Sequence, residues 1–123
     1  MKTDNRNFIT ELEPNEVIIF GSNSAGGHHG GLAKQCVDDF GAIMGVGFGR
    51  QGKCYAIPTL NENFEKLPLE IIKHYLNELA DYARLYKGEI FYLTAIGQGI
   101  ANFTKEEMES IMPIFPDNVI KLK

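Results

Sequence analysis

The sequence predicts an α/β fold of three layers, with a mixed, mainly parallel sheet covered by helices on both faces. Short apolar runs typical of buried parallel strands alternate along the chain with stretches of helical periodicity. Two glycine-rich loops, at residues 21–31 and 97–103, each follow such a run. The 123 residues, 44% of them hydrophobic, indicate a single domain with its core in about residues 15–123.

The first half of the chain predicts a strand, a helix and a further strand. Residues 1–7 are polar and predict a frayed start, and a turn leads into a buried strand at residues 17–20. Helical spacing of apolar residues over 30–40 ends at Gly41, which suits a helix C′ position. Residues 43–46 are a short strand candidate and 47–52 a turn. The next strand, residues 53–57, is expected to stop at Pro58.

The second half begins with the longest predicted helix, which starts near Pro68, carries one apolar face and ends at Gly88. A strand at residues 89–94 precedes the second glycine loop. Thr104 and Glu107 form a capping-box pattern for a helix that ends near residues 113–115. Residues 119–122 are the last predicted strand.

Composition narrows the function classes. A net charge of −4 with interspersed signs offers no broad cationic face, which disfavours extended nucleic acid as a partner. No apolar stretch approaches the roughly 18 residues of a membrane span, and the start lacks the apolar middle of a signal peptide, so we expect a cytoplasmic protein. Cys36 and Cys54 lack metal-site spacing and are expected to be small buried hydrophobes. The sequence indicates no metal and no cofactor.

The two glycine loops predict a phosphate site. Without Cβ atoms, backbone N–H groups can crowd around one anion, and a helix that starts just beyond adds the positive end of its dipole. Ligands of parallel sheets bind outside the carboxyl ends of the strands, where both loops are expected. Two such loops suit a nucleotide with two phosphates.

Three segments together resemble a macro domain. They are Asn23 with the glycines that follow a buried first strand, the segment 55–59 (Tyr-Ala-Ile-Pro-Thr), and the segment 96–103 before a capped helix. The pattern spans roughly residues 17–122. It is especially similar to small macro-like proteins, mostly uncharacterised, of phages and bacteria.

The resemblance implies ADP-ribose or a related nucleotide as the ligand. Asn23 would contact the distal ribose, and Phe103 would lie beside a sugar or base. The two phosphate loops would consist of Gly26, Gly27, Gly30 and Gly31 in the first, and Gly97, Gln98, Gly99, Ile100 and Ala101 in the second.

Two positions depart from the macro-type hydrolases that use a lysine and an aspartate. Where those relatives read Pro-Thr-Lys and Gly-Cys-Gly-Leu-Asp, this chain has Leu60 after Pro58-Thr59, and Ala101 at the end of residues 97–101. The amine nucleophile and the acid–base carboxylate are both missing. Binding without that chemistry is the favoured hypothesis.

Other interpretations stay open for the polar candidates. Asn23 could hold its own turn, Gln98 could cap its loop, and Phe103 could be a hydrophobic staple. His28 and His29 could be loop residues, or could activate water in a hydrolase of ADP-ribose conjugates or a related phosphorylated nucleotide. An NAD-dependent oxidoreductase has less support, because the first loop lacks the full context of the dinucleotide fingerprint.

Overall fold

The computed structural model describes residues 1–6 and 8–122, and within them the strands form one six-stranded sheet. The strands are β1 (Thr3–Asp4), β2 (Glu16–Asn23), β3 (Gly49–Gln51), β4 (Cys54–Leu60), β5 (Ile90–Leu93) and β6 (Val119–Leu122). Their order across the sheet is β1-β6-β5-β2-β4-β3. All neighbouring pairs are parallel except β3 with β4, so the prediction of a mixed, mainly parallel sheet is confirmed.

In the part of the chain that the structure describes, three helices cover the two faces of this sheet: α1 (Gly31–Phe40), α2 (Leu69–Leu85) and α3 (Lys105–Ser110). Successive side chains of a strand point to opposite faces, and β2 shows this alternation. Val17 and Ile19 belong to the core that α2 and α3 complete, whereas Ile18 and Phe20 pack in the core beneath α1. The three-layer prediction is therefore confirmed.

Cys36 and Cys54 both belong to the α1 core and are fully buried, as predicted. In the opposite core, burial raises the pKa of Tyr55 to about 12, which keeps this phenol neutral as a packing residue. Within residues 1–6 and 8–122, no helix combines the length and the apolar character needed to cross a bilayer.

The prediction of a strand at residues 43–46 was wrong. These residues form a loop, and the strand of this region is β3, inside the predicted turn. The apolar residues that suggested a strand, Ile43, Met44 and Val46, are exposed. Gly45 takes a left-handed φ of +89°, and its N–H donates to Gly26 O at 2.9 Å, so the loop pairs with the first glycine loop instead.

Pro58 does not end its strand, because β4 continues to Leu60. Ile18 N donates to Lys53 O. Because alternate residues of a parallel strand hydrogen-bond to the same neighbouring strand, the backbone nitrogen of Pro58 faces away from β2, toward the β3 side. The pairing of β3 with β4 stops at Ala56. The missing N–H of Pro58 therefore interrupts no ladder, which explains the longer strand.

Three chain segments also differ from their predicted ends. Helix α2 ends at Leu85, with Tyr86 as its C-cap, and not at Gly88. Thr3 and Asp4 pair with β6, so this part of the start is not frayed, and Asn7 of the same prediction lies outside the described residues. The last helix, α3, ends at Ser110 rather than near residues 113–115. Pro113 disfavours helical backbone at the preceding residue, which accounts for the earlier end.

Candidate functional site

A cavity of about 450 Å³ lies at the carboxyl ends of β2, β4 and β5. The first glycine loop begins within β2 and ends at the first residue of α1, and the second follows β5. Because β5 and β2 are neighbours in the sheet, the two loops meet at this one cavity. Both loops lie at the carboxyl edge of the sheet.

Most of the residues singled out from the sequence line the cavity. These residues are Asn23, Gly27, His29, Gly30, Gly31, Gly97, Gly99, Ile100 and Ala101. Four others, Gly26, His28, Gln98 and Phe103, are not among its lining residues. The structure gives physical reasons for the positions of Gly26, His28 and Phe103, whereas Gln98 is simply exposed on the second loop.

The side chain of Asn23 holds the first glycine loop. Its Oδ1 accepts from Gly27 N at 3.0 Å, and its Nδ2 donates to Gly27 O at 3.1 Å. Gly26 N donates to Asn23 O at 2.9 Å. These are the hydrogen bonds expected if Asn23 holds its own turn. The side-chain nitrogen has a second N–H, however, so Asn23 can hold the loop and still donate into the cavity.

Gly26 lies behind the loop rather than in the cavity wall. Its φ is +71°, and a Cβ at this position would come within 2.3 Å of Val46 N and 2.4 Å of Gly45 C. Residues 43–47 thus pack directly against the back of the first glycine loop. The glycine is required by this close backbone approach.

The two histidines have different environments. His28 is only 1% exposed, with its Nε2 2.9 Å from Val46 O and its ring edge-on to Phe20. Its Nδ1 has no hydrogen-bond partner among the described residues. His29 is exposed and its ring borders Gly27 at the cavity. His28 therefore supports the loop, and His29 is the histidine that can reach a bound molecule.

The start of α1 presents free backbone donors to the cavity. Gly30 is the N-cap and makes no side-chain cap bond, and the first three helical residues, Gly31, Leu32 and Ala33, line the cavity. The first N–H groups of a helix have no partner within the helix and carry the positive end of its dipole. This arrangement favours an anion at the start of α1.

The second glycine loop is fixed by the helix that follows it. Phe103 N donates to Gly97 O at 2.9 Å, and a Cβ on Gly97 would lie 2.8 Å from Met108 Sδ. Phe103 stands just before the N-cap Thr104 and shares its core with Met108, which is the arrangement of a hydrophobic staple. The capping box predicted from Thr104 and Glu107 is present.

The cavity wall also contains residues that the sequence motifs did not indicate. Phe64 lines it from the loop after β4, and Thr94 and Ala95 line it between β5 and the second glycine loop. Only their position after the carboxyl ends of neighbouring strands could have suggested them. Leu60 and Ala101, at the positions where the sequence resemblance would place the lysine and aspartate of the hydrolases, are both buried in this wall.

Solved structures that share this fold include two that align over most of the chain. A macrodomain protein from Streptomyces coelicolor is 14% identical and aligns over 94% of this chain and 92% of its own, with a TM-score of 0.57. A protein of unknown function from Bacteroides thetaiotaomicron, also 14% identical, aligns over 92% of this chain and 89% of its own, with a TM-score of 0.61. No protein-family model and no curated protein matches the sequence. The chain therefore has a macro-like fold, as the sequence resemblance implied.

Proposed function

We propose that this protein binds ADP-ribose or a related nucleotide in the cavity between the two glycine loops. The observation that carries the proposal is the convergence of the uncapped start of α1 and the second glycine loop on one cavity. Its volume of about 450 Å³ lies within the range of small-molecule sites, roughly 300–1,000 Å³. The macro-like fold adds support, since ADP-ribose is the ligand that the resemblance implies.

Backbone amides would recognise the diphosphate. The described lining residues include neither Lys nor Arg, so an anion here depends on N–H groups and the dipole of α1. A diphosphate bridging the two loops would use both donor sets. In isothermal titration calorimetry we therefore expect ADP-ribose to bind more tightly than AMP, and equal binding of the two would contradict a two-loop phosphate site.

Asn23 would serve both the loop and the ligand. Asn23→Ala removes two hydrogen bonds to Gly27 and the free N–H proposed for the ribose. We expect a loss of roughly 1–2 kcal/mol in the free energy of unfolding and of roughly 1–3 kcal/mol in the free energy of ADP-ribose binding. Thermal melts and calorimetry measure the two separately. Lower stability with unchanged affinity would leave Asn23 as a loop residue alone.

Binding without turnover is the expected behaviour. Leucine has no amine and alanine no proton to donate, so Leu60 and Ala101 supply neither a covalent ribose adduct nor acid–base assistance. We expect no release of ADP-ribose from ADP-ribosylated DNA or from glutamate-ADP-ribosylated protein above a control without the protein. Chromatographic detection of free ADP-ribose over several hours tests this expectation.

Hydrolysis assisted by His29 is the second candidate function, because its imidazole borders the cavity. Multiple turnover that disappears in His29→Ala would replace the binding proposal with this one. His74→Ala is the matched control, since His74 is an exposed histidine on α2 and does not line the cavity. His28→Ala is a poorer probe, because it removes a buried ring that packs on Phe20.

A further inference from the structure

Among the described residues, Phe64 is the one bulky residue that has a left-handed backbone conformation and also lines the cavity. Its φ is +61°, and its side chain lines the cavity while 59% of the residue stays exposed. A large non-glycine residue in this region is strained, and such strain persists only where the surrounding structure imposes it. Packing does not compensate for the strain in the free protein, because the side chain is mostly exposed.

The loop that carries Phe64 is closed by its own hydrogen bonds. Asn61 Oδ1 accepts from Asn63 N at 2.8 Å and from Glu65 N at 3.0 Å, and Leu60 forms an antiparallel bridge with Lys66. Lys66 Nζ then donates to Asn102 O at 3.0 Å, which ties this loop to the second glycine loop. The backbone that carries Phe64 is thus held at the edge of the proposed ligand site.

Apolar surface lies on both sides of the phosphate-binding backbone. A second cavity of about 330 Å³ shares Leu32, Thr94 and Ala95 with the first, and it extends toward Leu122 of β6. Phe64 follows β4, which lies on the opposite side of β2 from β5 and β6 in the sheet. A ligand whose diphosphate lies at the start of α1 can therefore place one ring in each direction.

We infer that Phe64 is a stacking platform for a second ring, so that the preferred ligand is a dinucleotide: an ADP-ribose whose distal ribose carries an aromatic base. The inference rests on the proposed function. Leu60, beside Phe64 in the wall, adds no charge, and the loop carries two carboxylates, Glu62 and Glu65, against one cation, Lys66. A positively charged pyridinium ring would gain from the face of an aromatic ring in such surroundings.

Titration with NAD⁺ and ADP-ribose tests this inference. We expect the wild type to bind NAD⁺ more tightly than ADP-ribose. Phe64→Ala should weaken NAD⁺ binding about tenfold and ADP-ribose binding less than about twofold, whereas Phe64→Tyr should retain the preference for NAD⁺. Leu85→Ala is the control, because Leu85 is an exposed apolar residue at the end of α2 and lines neither cavity.

Phe64→Gly separates stacking from a structural role. Glycine relieves the left-handed strain, so the melting temperature should stay equal or rise while the preference for NAD⁺ is lost. A melting temperature that falls together with the affinity for both ligands would overturn the inference, and so would equal effects of Phe64→Ala on the two ligands. If the wild type binds ADP-ribose and not NAD⁺, the inference fails while the proposed function stands. If the folded wild type binds neither, both fail.

Discussion

Gly99→Glu is expected to lower the affinity for ADP-ribose at least 100-fold in a protein that stays folded. Gly99 lines the cavity, its φ lies outside the left-handed region, and a Cβ there would meet no atom within 4 Å. The backbone therefore accepts a side chain. The added carboxylate enters the space proposed for the diphosphate, where two like charges 4 Å apart repel by roughly 4 kcal/mol at an effective dielectric constant near 20. Calorimetry on the folded variant measures the loss.

Gly88→Glu is the matched control for this substitution. Gly88 is an exposed glycine between α2 and β5, and a Cβ there also meets no atom within 4 Å. The variant has the same added charge at a position that does not line the cavity. It should bind ADP-ribose as the wild type does. If Gly99→Glu also titrates like the wild type, the second glycine loop is not a phosphate site.

The elements whose apolar pattern is set by burial were predictable. The run at residues 17–20 indicated a strand buried on both faces, and β2 contributes side chains to both cores. Helix α2 was predictable from one apolar face, although it ends at Leu85 and not at the predicted Gly88. Pro58 was misjudged because its effect depends on which side of β4 has a neighbouring strand, and sequence spacing does not contain that information.

The candidate site was predictable to the extent that it depends on strand ends. Both glycine loops were expected at the carboxyl edge of the sheet, and the adjacency of β2 and β5 brings them to one cavity. Phe64 was not predictable, because its left-handed φ results from a loop closed by Asn61 and Lys66. The role of residues 43–47 was missed for a similar reason, since contacts through backbone atoms leave little trace in side-chain patterns.

Gly47 shows how closely those residues support the site. It is buried, and a Cβ there would lie 2.4 Å from Asn23 O and 2.7 Å from Ser24 O. Ser22 Oγ donates to Gly47 O, which fastens the same segment to β2. The atoms that a side chain would meet are backbone atoms of the strand end and the first glycine loop, so they cannot move aside by a rotamer change.

Gly47→Ala is therefore expected to lower the free energy of unfolding by about 3 kcal/mol, because the added methyl group must displace backbone on one side or the other. For a chain of this length the melting temperature should fall by roughly 10 °C. At temperatures where the variant is still folded, ADP-ribose binding should also weaken, because the displaced atoms include Asn23 O, which accepts from Gly26 N. Gly88→Ala, which adds the same methyl group in open space, should leave both quantities unchanged. Melting temperatures and affinities of Gly47→Ala equal to those of the wild type would show that residues 43–47 do not fix the first glycine loop.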